Sequence, residues 1–399
     1  MKKFTVTMLV ISMLLIQFAS AQTVMAEESN TPNAAENKGN AGPALANSAV
    51  SAIVMDADSG TVIFEKNSHQ KLPPASITKI MTMLLVMEAV DQGKLKLSDM
   101  VSTSERAASM GGSQIFLEVG EQMTVEEMLK GVAMASGNDA SVALAEKLAG
   151  TEEQFVAMMN ERAKQLGLKN THFMNSNGLP VENHYSSAYD IAVMSRELMK
   201  YDLIRSFTGK YQDYLRKDTE KPFWLVNTNK LVRFYDGADG IKTGYTSEAK
   251  YCLSASAMRD GMRVIAVVMG APSTKIRNAE VTQMLDYSFA QYMNYPLINK
   301  GEVIGSLEIE KGMERKLDIV APQPYSVLVK RGSNTDQIHY VLDMDESIKA
   351  PVIEGQPIGK LMIYQGDSLV KEYELLSPAT IDRSNWWRLL KRSTKSLFH

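Results

Sequence analysis

The sequence predicts an α+β fold: one antiparallel sheet whose strands come from both ends of a domain, a helical region inserted between them, and a small all-β domain after it. Three observations carry this. Paired apolar runs joined by turn residues occur at 51–56 with 61–66, and again at 251–258 with 263–270. The stretch between the pairs shows helical periodicity and helix-start signals. From about residue 295, short strands such as 316–320, 325–330 and 360–364 alternate with Gly, Pro and Asn turns.

The chain has 399 residues, 45% hydrophobic and 22% charged, enough for a sizeable core and more than one domain. A formal net charge of −3 gives no nucleic-acid signature. The charge is uneven: 383–399 carry five basic residues and no acid, which leaves −8 on the rest. Residues 1–26 read as a secretory signal. Lys2 and Lys3 precede a mostly apolar stretch from Met8 to Phe18, and Ala19-Ser20-Ala21 or Val24-Met25-Ala26 fits the cleavage site. The apolar stretch is shorter than the roughly 20 residues a membrane span needs. Cys252 is the only cysteine, so no intramolecular disulfide forms and stability rests on the core; in an apolar strand, a buried inert thiol is expected.

Residues 27–48, rich in Asn, Ala, Glu and Gly, read as a flexible linker. Ala57-Asp58-Ser59-Gly60 turns the first hairpin. Pro73-Pro74 breaks the chain, and a helical pattern starts at Ser76. Thr124 with Glu127 is a capping box for the next helix. Ser136-Gly137-Asn138 interrupts the pattern and Asp139 opens a further helix; 152–166 and 187–199 are two more. Lys242-Thr243-Gly244 is expected to start a strand, Arg259-Asp260-Gly261-Met262 turns a second hairpin, and 275–293 reads as a closing helix. There is no internal repeat, metal-ligand cluster or phosphate-binding glycine loop.

Three short strings stand in one order: Ser76-Ile77-Thr78-Lys79, Ser136-Gly137-Asn138 and Lys242-Thr243-Gly244. Singly each is a common helix or turn fragment. Together they match the constellation of a serine acyl-transferase that uses lysine as its base. Serine needs an adjacent base to act as a nucleophile. Lys79, one helical turn after Ser76, shares its face. Burial and a second cation, Lys242, would lower the Lys79 pKa so that Lys79 is neutral while Lys242 stays charged. Ser136 would relay the proton to a leaving nitrogen, and Asn138 would hold a substrate amide. Lys242 and Thr243 would hold a carboxylate, Gly244 would leave room for substrate along the strand edge, and the Tyr245 and Ser76 N–H groups would form the oxyanion hole.

The runs 74–82, 108–117 and 239–246 resemble those of low-molecular-mass penicillin-binding proteins that are serine-type D-alanyl-D-alanine carboxypeptidases, in particular the Bacillus branch linked to sporulation. The resemblance implies a β-lactamase/transpeptidase-like catalytic domain at 49–294 and a β domain at 295–378. It also implies action on peptidoglycan stem pentapeptides, an acyl-enzyme on Ser76, acylation by β-lactams, and no cofactor or metal. Arg277 matches an arginine the family uses near the terminal carboxylate. Tyr245 stands where many relatives have His, and Asn177 where some do; Asn177 is therefore not read as catalytic.

Residues 379–399 read as a helix opened by Ser384, with Trp386, Leu389, Leu390, Leu397 and Phe398 on one face and the basic residues mostly elsewhere. Such a helix lies in a membrane surface, so the protein is expected at the outer face of the cytoplasmic membrane. Two other readings share the three strings. A class A β-lactamase needs a glutamate-bearing E-x-x-L-N loop and usually Ser-Asp-Asn, and neither is present. A non-catalytic β-lactam-binding wall protein would have a disabled site, whereas the nucleophile, base, relay and anchor are all here.

Overall fold

The computed structural model describes residues 44–385. The expected signal segment, residues 27–43 of the expected linker and the tail from Trp386 lie outside the described residues. The chain opens with strands β1 (Ser51–Asp56) and β2 (Val62–Lys66), makes a 3-10 turn (Ala75–Thr78) and runs directly into α1 (Lys79–Asp91). A helical region follows. Strand β3 (Met100–Ser102), α2 (Glu105–Ala108) and β4 (Gln122–Thr124) precede α3 (Val125–Lys130), α4 (Asn138–Ala149), α5 (Glu152–Gln165), α6 (Ala188–Leu198) and α7 (Asp202–Thr208). A hairpin of β5 (Gln212–Leu215) and β6 (Phe223–Val226) and one turn of helix, α8 (Leu231–Phe234), lead back to β7 (Ala238–Thr246), β8 (Lys250–Arg259) and β9 (Met262–Ala271). These complete a five-stranded antiparallel sheet in the order β2-β1-β9-β8-β7. The two ends of the domain meet where β1 pairs with β9, Ile53 opposite Val267.

The sheet is buried on both faces, which is why its central strands read as continuous apolar runs. On β9, Ile265, Val267 and Met269 join the core shared with the helical region, while Val264, Ala266 and Val268 face α9 (Thr274–Gln291). Side chains alternate along a strand, so one apolar run feeds two cores. Helix α1 is apolar on all sides and correspondingly buried on all sides from Lys79 to Met87. Cys252 lies inside the sheet, and burial pushes its thiol up to about 11, which leaves it unreactive.

The second domain holds β10 (Tyr292–Ile298), β11 (Val303–Glu310), β12 (Lys316–Val320), β13 (Tyr325–Lys330), β14 (Ile338–Asp343), β15 (Ser347–Lys349), β16 (Pro357–Gln365) and β17 (Ser368–Leu376). They form β10-β13, β12-β11-β15 and β14-β16-β17 around a core that includes Leu307, Ile319, Val327, Leu361 and Ile363. The first hairpin's turn contacts this domain: Lys371 Nζ donates to Asp58 O at 2.7 Å and Asn294 Nδ2 to Asp58 Oδ2 at 3.0 Å.

Five local expectations change. Residues 379–385, read as the start of the tail helix, are not helical: Ile381 bridges Val352 and is buried in the second domain's core, so that domain runs past 378. The segment Ala44 to Ser48, read as the end of a flexible linker, is packed. Leu45 and Ala46 are buried, and Lys66 Nζ donates to the carbonyls of Ala46, Asn47 and Ala49 at 2.7–2.9 Å. One lysine gathering three carbonyls supplies order that composition does not reveal. Helix α1 starts at Lys79, with Ser76 in the 3-10 turn before it. The Lys-Thr-Gly string lies inside β7, which opens four residues earlier at Ala238. Helix α9 ends at Gln291, because Tyr292 and Met293 pair with Lys330 and Val329 of β13.

One buried histidine ties the segment between α5 and α6 to the 3-10 turn. His184 Nδ1 accepts from Met174 N–H at 3.0 Å, so its Nε2 carries the proton and donates to Thr78 Oγ1 at 2.7 Å. Burial holds this ring down at about 4, against 6.5 when free. The unfolded chain therefore binds the extra proton between these two values, and stability is lost as pH falls from about 6.5 to about 4. The full loss is about 3 kcal/mol. Urea midpoints measured across that window should fall with acidification and fall less steeply for His184→Gln; equal slopes would remove His184 as the cause.

Candidate active site

The 3-10 turn, α1, the break before α4 and strand β7 bring the three strings together. A cleft of about 360 Å³ is lined by Ser76, Ser136, Thr243, Gly244, Tyr245 and Arg277, joined by Ser113, Thr228, Tyr251 and Thr274. Lys79, Asn138 and Lys242 stand in the wall behind it, all buried.

Lys79 is fully buried and has no acidic partner within bonding distance among the described residues. Its Nζ lies 2.6 Å from Asn138 Oδ1, 2.6 Å from the Asn177 carbonyl and 3.1 Å from Ser76 Oγ. The first two are obligate acceptors, since Asn138 Nδ2 is turned the other way and donates to Gly111 O at 2.6 Å. A neutral amine has two N–H bonds and one lone pair. Donating to Asn138 and Asn177 uses both N–H bonds and leaves the lone pair for the Ser76 hydroxyl. Burial, and secondarily the Lys242 cation, push the Lys79 pKa well below the usual lysine value; Asp139 opposes this.

Lys242 is also fully buried, and its Nζ donates to the Thr243 carbonyl at 3.0 Å. Burial, then the Arg277 guanidinium, bring it to about 7. Arg277 has Nε and Nη2 on Asn278 Oδ1 at 3.1 and 2.9 Å. Neither cation has an acidic partner among the described residues. Arg277 on the cleft and Lys242 buried beside its Thr243, together without a counter-charge, form a site for an anion. Two hydroxyls on the same cleft, Ser136 Oγ and Thr228 Oγ1, are buried and bonded to nothing among the described residues.

Local backbone geometry sets these positions. A π-helical turn, Gly131–Ala135, interrupts the helix before the Ser-Gly-Asn string, and Ser136 takes a left-handed φ of 63°. Ala75, just before Ser76, has φ 49°. Both are uncommon conformations held at functional positions. Asp139 fastens the preceding loop by accepting from Ile115 N and Leu117 N at 3.0 and 3.1 Å. β7 is an edge strand, so one side of its backbone is free of strand partners. Tyr245 is 56% exposed beside that edge and packs on Tyr251 with ring centroids 4.5 Å apart.

Two residues make protein contacts that the sequence reading did not include. Asn138 spends both ends of its amide within the protein, on Lys79 and Gly111. It positions the lysine in this way, and its second Nδ2 N–H and second Oδ1 lone pair remain for a substrate amide. Gly244 is small because β7 packs on the nucleophile turn: a Cβ there would lie 2.9 Å from Pro74 O and 3.2 Å from Ala75 Cβ.

Sequence reasoning missed four contributors: Thr228, Ser113, the Asn177 carbonyl and Gly178. Thr228 lies between Asn227 and Asn229, whose side chains bind backbone at Thr208, Lys210 and Gly240. That Asn-x-Asn pattern is the signal for a specially shaped turn. Asn177 acts through its backbone, which its side-chain identity cannot advertise.

Comparisons with known proteins show what the chain is similar to. The family model described as D-alanyl-D-alanine carboxypeptidase matches residues 36–273, and that of the penicillin-binding protein 5 C-terminal domain matches 292–383. The D-alanyl-D-alanine carboxypeptidase DacF of Bacillus subtilis is 52% identical over 349 residues, 88% of this chain and 90% of the relative. The crystal structure of penicillin-binding protein 5 from Haemophilus influenzae has a TM-score of 0.67 at 31% identity, covering 86% of this chain and 99% of that one. The Streptomyces K15 DD-transpeptidase gives 0.58 at 32% identity, covering 62% and 98%.

Gly178 tests how closely the wall supports the nucleophile. Its φ is +86°, and a Cβ would overlap the Ala75 carbonyl. Gly178→Ala should cost about 2–4 kcal/mol and slow reaction at Ser76. Gly167→Ala, at φ +71° with open space around it, should cost only about 1 kcal/mol and leave the reaction unchanged. Thermal unfolding and acylation of the two variants check this; equal effects would deny Gly178 a packing role.

Proposed function

The chain belongs to the D-alanyl-D-alanine carboxypeptidase family, and from that premise we propose a residue-level mechanism for the serine-type carboxypeptidase that it is. Ser76 Oγ attacks the carbonyl of the penultimate D-Ala of a peptidoglycan stem peptide, and its proton passes to the neutral Lys79 amine. The Ser76 and Tyr245 N–H groups take the charge on the carbonyl oxygen. Ser136 relays the proton to the nitrogen of the terminal D-Ala, the C–N bond breaks and D-Ala leaves. Water then hydrolyses the ester on Ser76, giving the shortened peptide and free enzyme. β-Lactams acylate Ser76 by the same attack on their ring amide.

The observation that carries this reading is the arrangement at the Lys79 amine: two short bonds to obligate acceptors, a third contact with Ser76 Oγ, and no paired acid. Lys242, Thr243, Thr228 and Arg277 hold the substrate's terminal carboxylate. A carboxylate entering there favours the charged form of Lys242 and so raises its pKa from about 7. Asn138 keeps the lysine in place and Gly244 keeps β7 against the nucleophile turn. The sporulation link carried by the resemblance goes with this reading as a proposal, supported by the 52% identity to DacF.

The proposed site of action is the outer face of the cytoplasmic membrane. Among the described residues no helix is long and apolar enough to cross a membrane. Export through the expected signal and attachment through the basic, tryptophan-bearing tail are the route, supported by the sequence pattern of those segments.

Intact mass after benzylpenicillin should show one covalent adduct, absent in Ser76→Ala, and the enzyme should release D-Ala from diacetyl-Lys-D-Ala-D-Ala. Because the Lys79 pKa is lowered, the acylation rate should rise with pH well below the usual lysine range, as the base loses its proton. A flat rate across that range would remove lysine as the base. Deleting residues 385–399 should release the enzyme from anionic vesicles while its acylation rate stays unchanged; unaltered retention would overturn the anchor.

A further inference from the structure

A cavity of about 710 Å³ is built from the loop before β4 and the β5–β6 hairpin. It shares its framework with the cleft. Ser113 and Thr228 line the cleft; Phe116, on the same loop as Ser113, and Phe223, on the strand that leads to Thr228, line the cavity. The loop is held to the Ser-Gly-Asn string. Ser113 O accepts from Asn138 N at 2.7 Å, and Asp139 accepts from Ile115 N and Leu117 N at 3.0 and 3.1 Å. No catalytic step described above uses this cavity.

Phe116 is unusual in two ways. Its side chain is 67% exposed, and its φ of 57° is a left-handed backbone that a bulky residue rarely takes. Arg216 holds it there. The guanidinium donates to the Ile115 and Phe116 carbonyls at 3.1 and 3.3 Å and to Glu121 Oε1 at 2.6 Å, and Arg216 itself has φ 53°. Phe116 meets Phe223 edge to face, with ring centroids 5.8 Å apart and planes at 70°. An uncommon backbone that presents an aromatic ring to water gains little from burial, and such conformations persist at binding sites.

We propose that this cavity binds a glycan strand, a neutral polymer of N-acetylated hexoses; that the strand comes from the cell wall rests on the carboxypeptidase reading. A pyranose ring has an apolar C–H face and a rim of O–H and amide N–H donors. The face suits an exposed aromatic ring, and the rim needs acceptors. Glu118 and Glu220 supply them as exposed carboxylates whose side chains have no hydrogen bond or ion pair among the described residues. Four carboxylates in the lining, against Arg216 and Lys221, disfavour an anionic polymer. Arg216 already stands 5.9 Å from the Phe223 ring centroid, where a ligand ammonium would otherwise sit. A neutral ligand with an apolar face and many donors fits what remains. The volume lies within the roughly 300–1,000 Å³ usual for small-ligand sites. A strand held here raises the local concentration of its stem peptides at Ser76.

The test uses the N-acetylglucosamine tetramer, which carries no peptide, titrated calorimetrically into the Ser76→Ala enzyme. The tetramer should bind at one site. Phe116→Ala should weaken binding by about threefold to tenfold, the size of one lost aromatic contact. Glu118→Ala with Glu220→Ala should weaken it as well, with an unchanged thermal unfolding midpoint that separates loss of the site from loss of the fold. With Ser76 present, Phe116→Ala should lower D-Ala release from pentapeptide-bearing glycan strands by a similar factor. Release from diacetyl-Lys-D-Ala-D-Ala and acylation by benzylpenicillin should stay at the parent rates. No binding of the tetramer, equal binding by the variants, or a preference for the glucosamine tetramer with free amines overturns the glycan site. Because benzylpenicillin acylation reports Ser76 alone, any of these outcomes with acylation intact overturns the glycan site and leaves the carboxypeptidase reading standing.

Discussion

The site depends on a lysine amine buried where no acid can neutralise it. An isolated buried charge is strongly disfavoured, and a group in that position escapes the cost by losing its proton. Lys79 does so in a setting that also specifies the direction of its lone pair. Asn138 Oδ1 and the Asn177 carbonyl, each 2.6 Å away, claim its two N–H bonds, and the remaining direction is toward Ser76 Oγ. A histidine base would need a third group to set its tautomer; here the same end is reached with an amide and a carbonyl. The helical region exists, in this sense, to deliver those two oxygens to one point.

Delivering them requires chains to approach more closely than side chains allow. Gly244 lets β7 lie against the nucleophile turn, Gly178 lets the Asn177 carbonyl reach Lys79, and Gly112 lets its loop sit under Asn138 Nδ2. The positive φ values at Ala75 and Ser136 belong to the same economy of space. In each case the residue that acts is positioned by a neighbour that contributes almost nothing except backbone shape. The surrounding sheet and α1, apolar on every side, are rigid enough to hold that shape.

Much of this was legible in the sequence because it rests on side-chain identity at fixed spacing. Ser76 and Lys79, the Ser-Gly-Asn break and the Lys-Thr-Gly strand each declare a chemistry, and the two hairpin pairs declare the sheet. What was not legible depends on backbone and on distant partners. The Asn177 carbonyl has no sequence signature. Thr228 is 152 positions from Ser76 in the chain and enters the cleft only because the two asparagines beside it bind the backbone of Thr208, Lys210 and Gly240. The packing roles of Gly244 and Asn138 were hidden for a similar reason: the sequence shows a small residue and an amide, but not which protein groups lie next to them. At the end of α9 the helical pattern continued to Met293, and a long-range pairing with β13 overrode it.

The two buried lysines behave differently although both lack acids, and the difference follows from what each faces. Arg277 lines the open cleft and Lys242 is buried next to Thr243 in its wall, so an arriving carboxylate can restore to Lys242 the favourable surroundings that burial removed. Lys79 looks onto neutral oxygens that no ligand displaces. The incoming anion would weaken the repulsion Lys242 exerts on Lys79, which by itself would make Lys79 a poorer base. That repulsion, however, is the smaller cause of its lowered pKa; burial is the larger, and substrate binding covers the site further. Anchoring the carboxylate on one lysine therefore leaves the other able to take the proton, and the fold can use two identical side chains for opposite tasks.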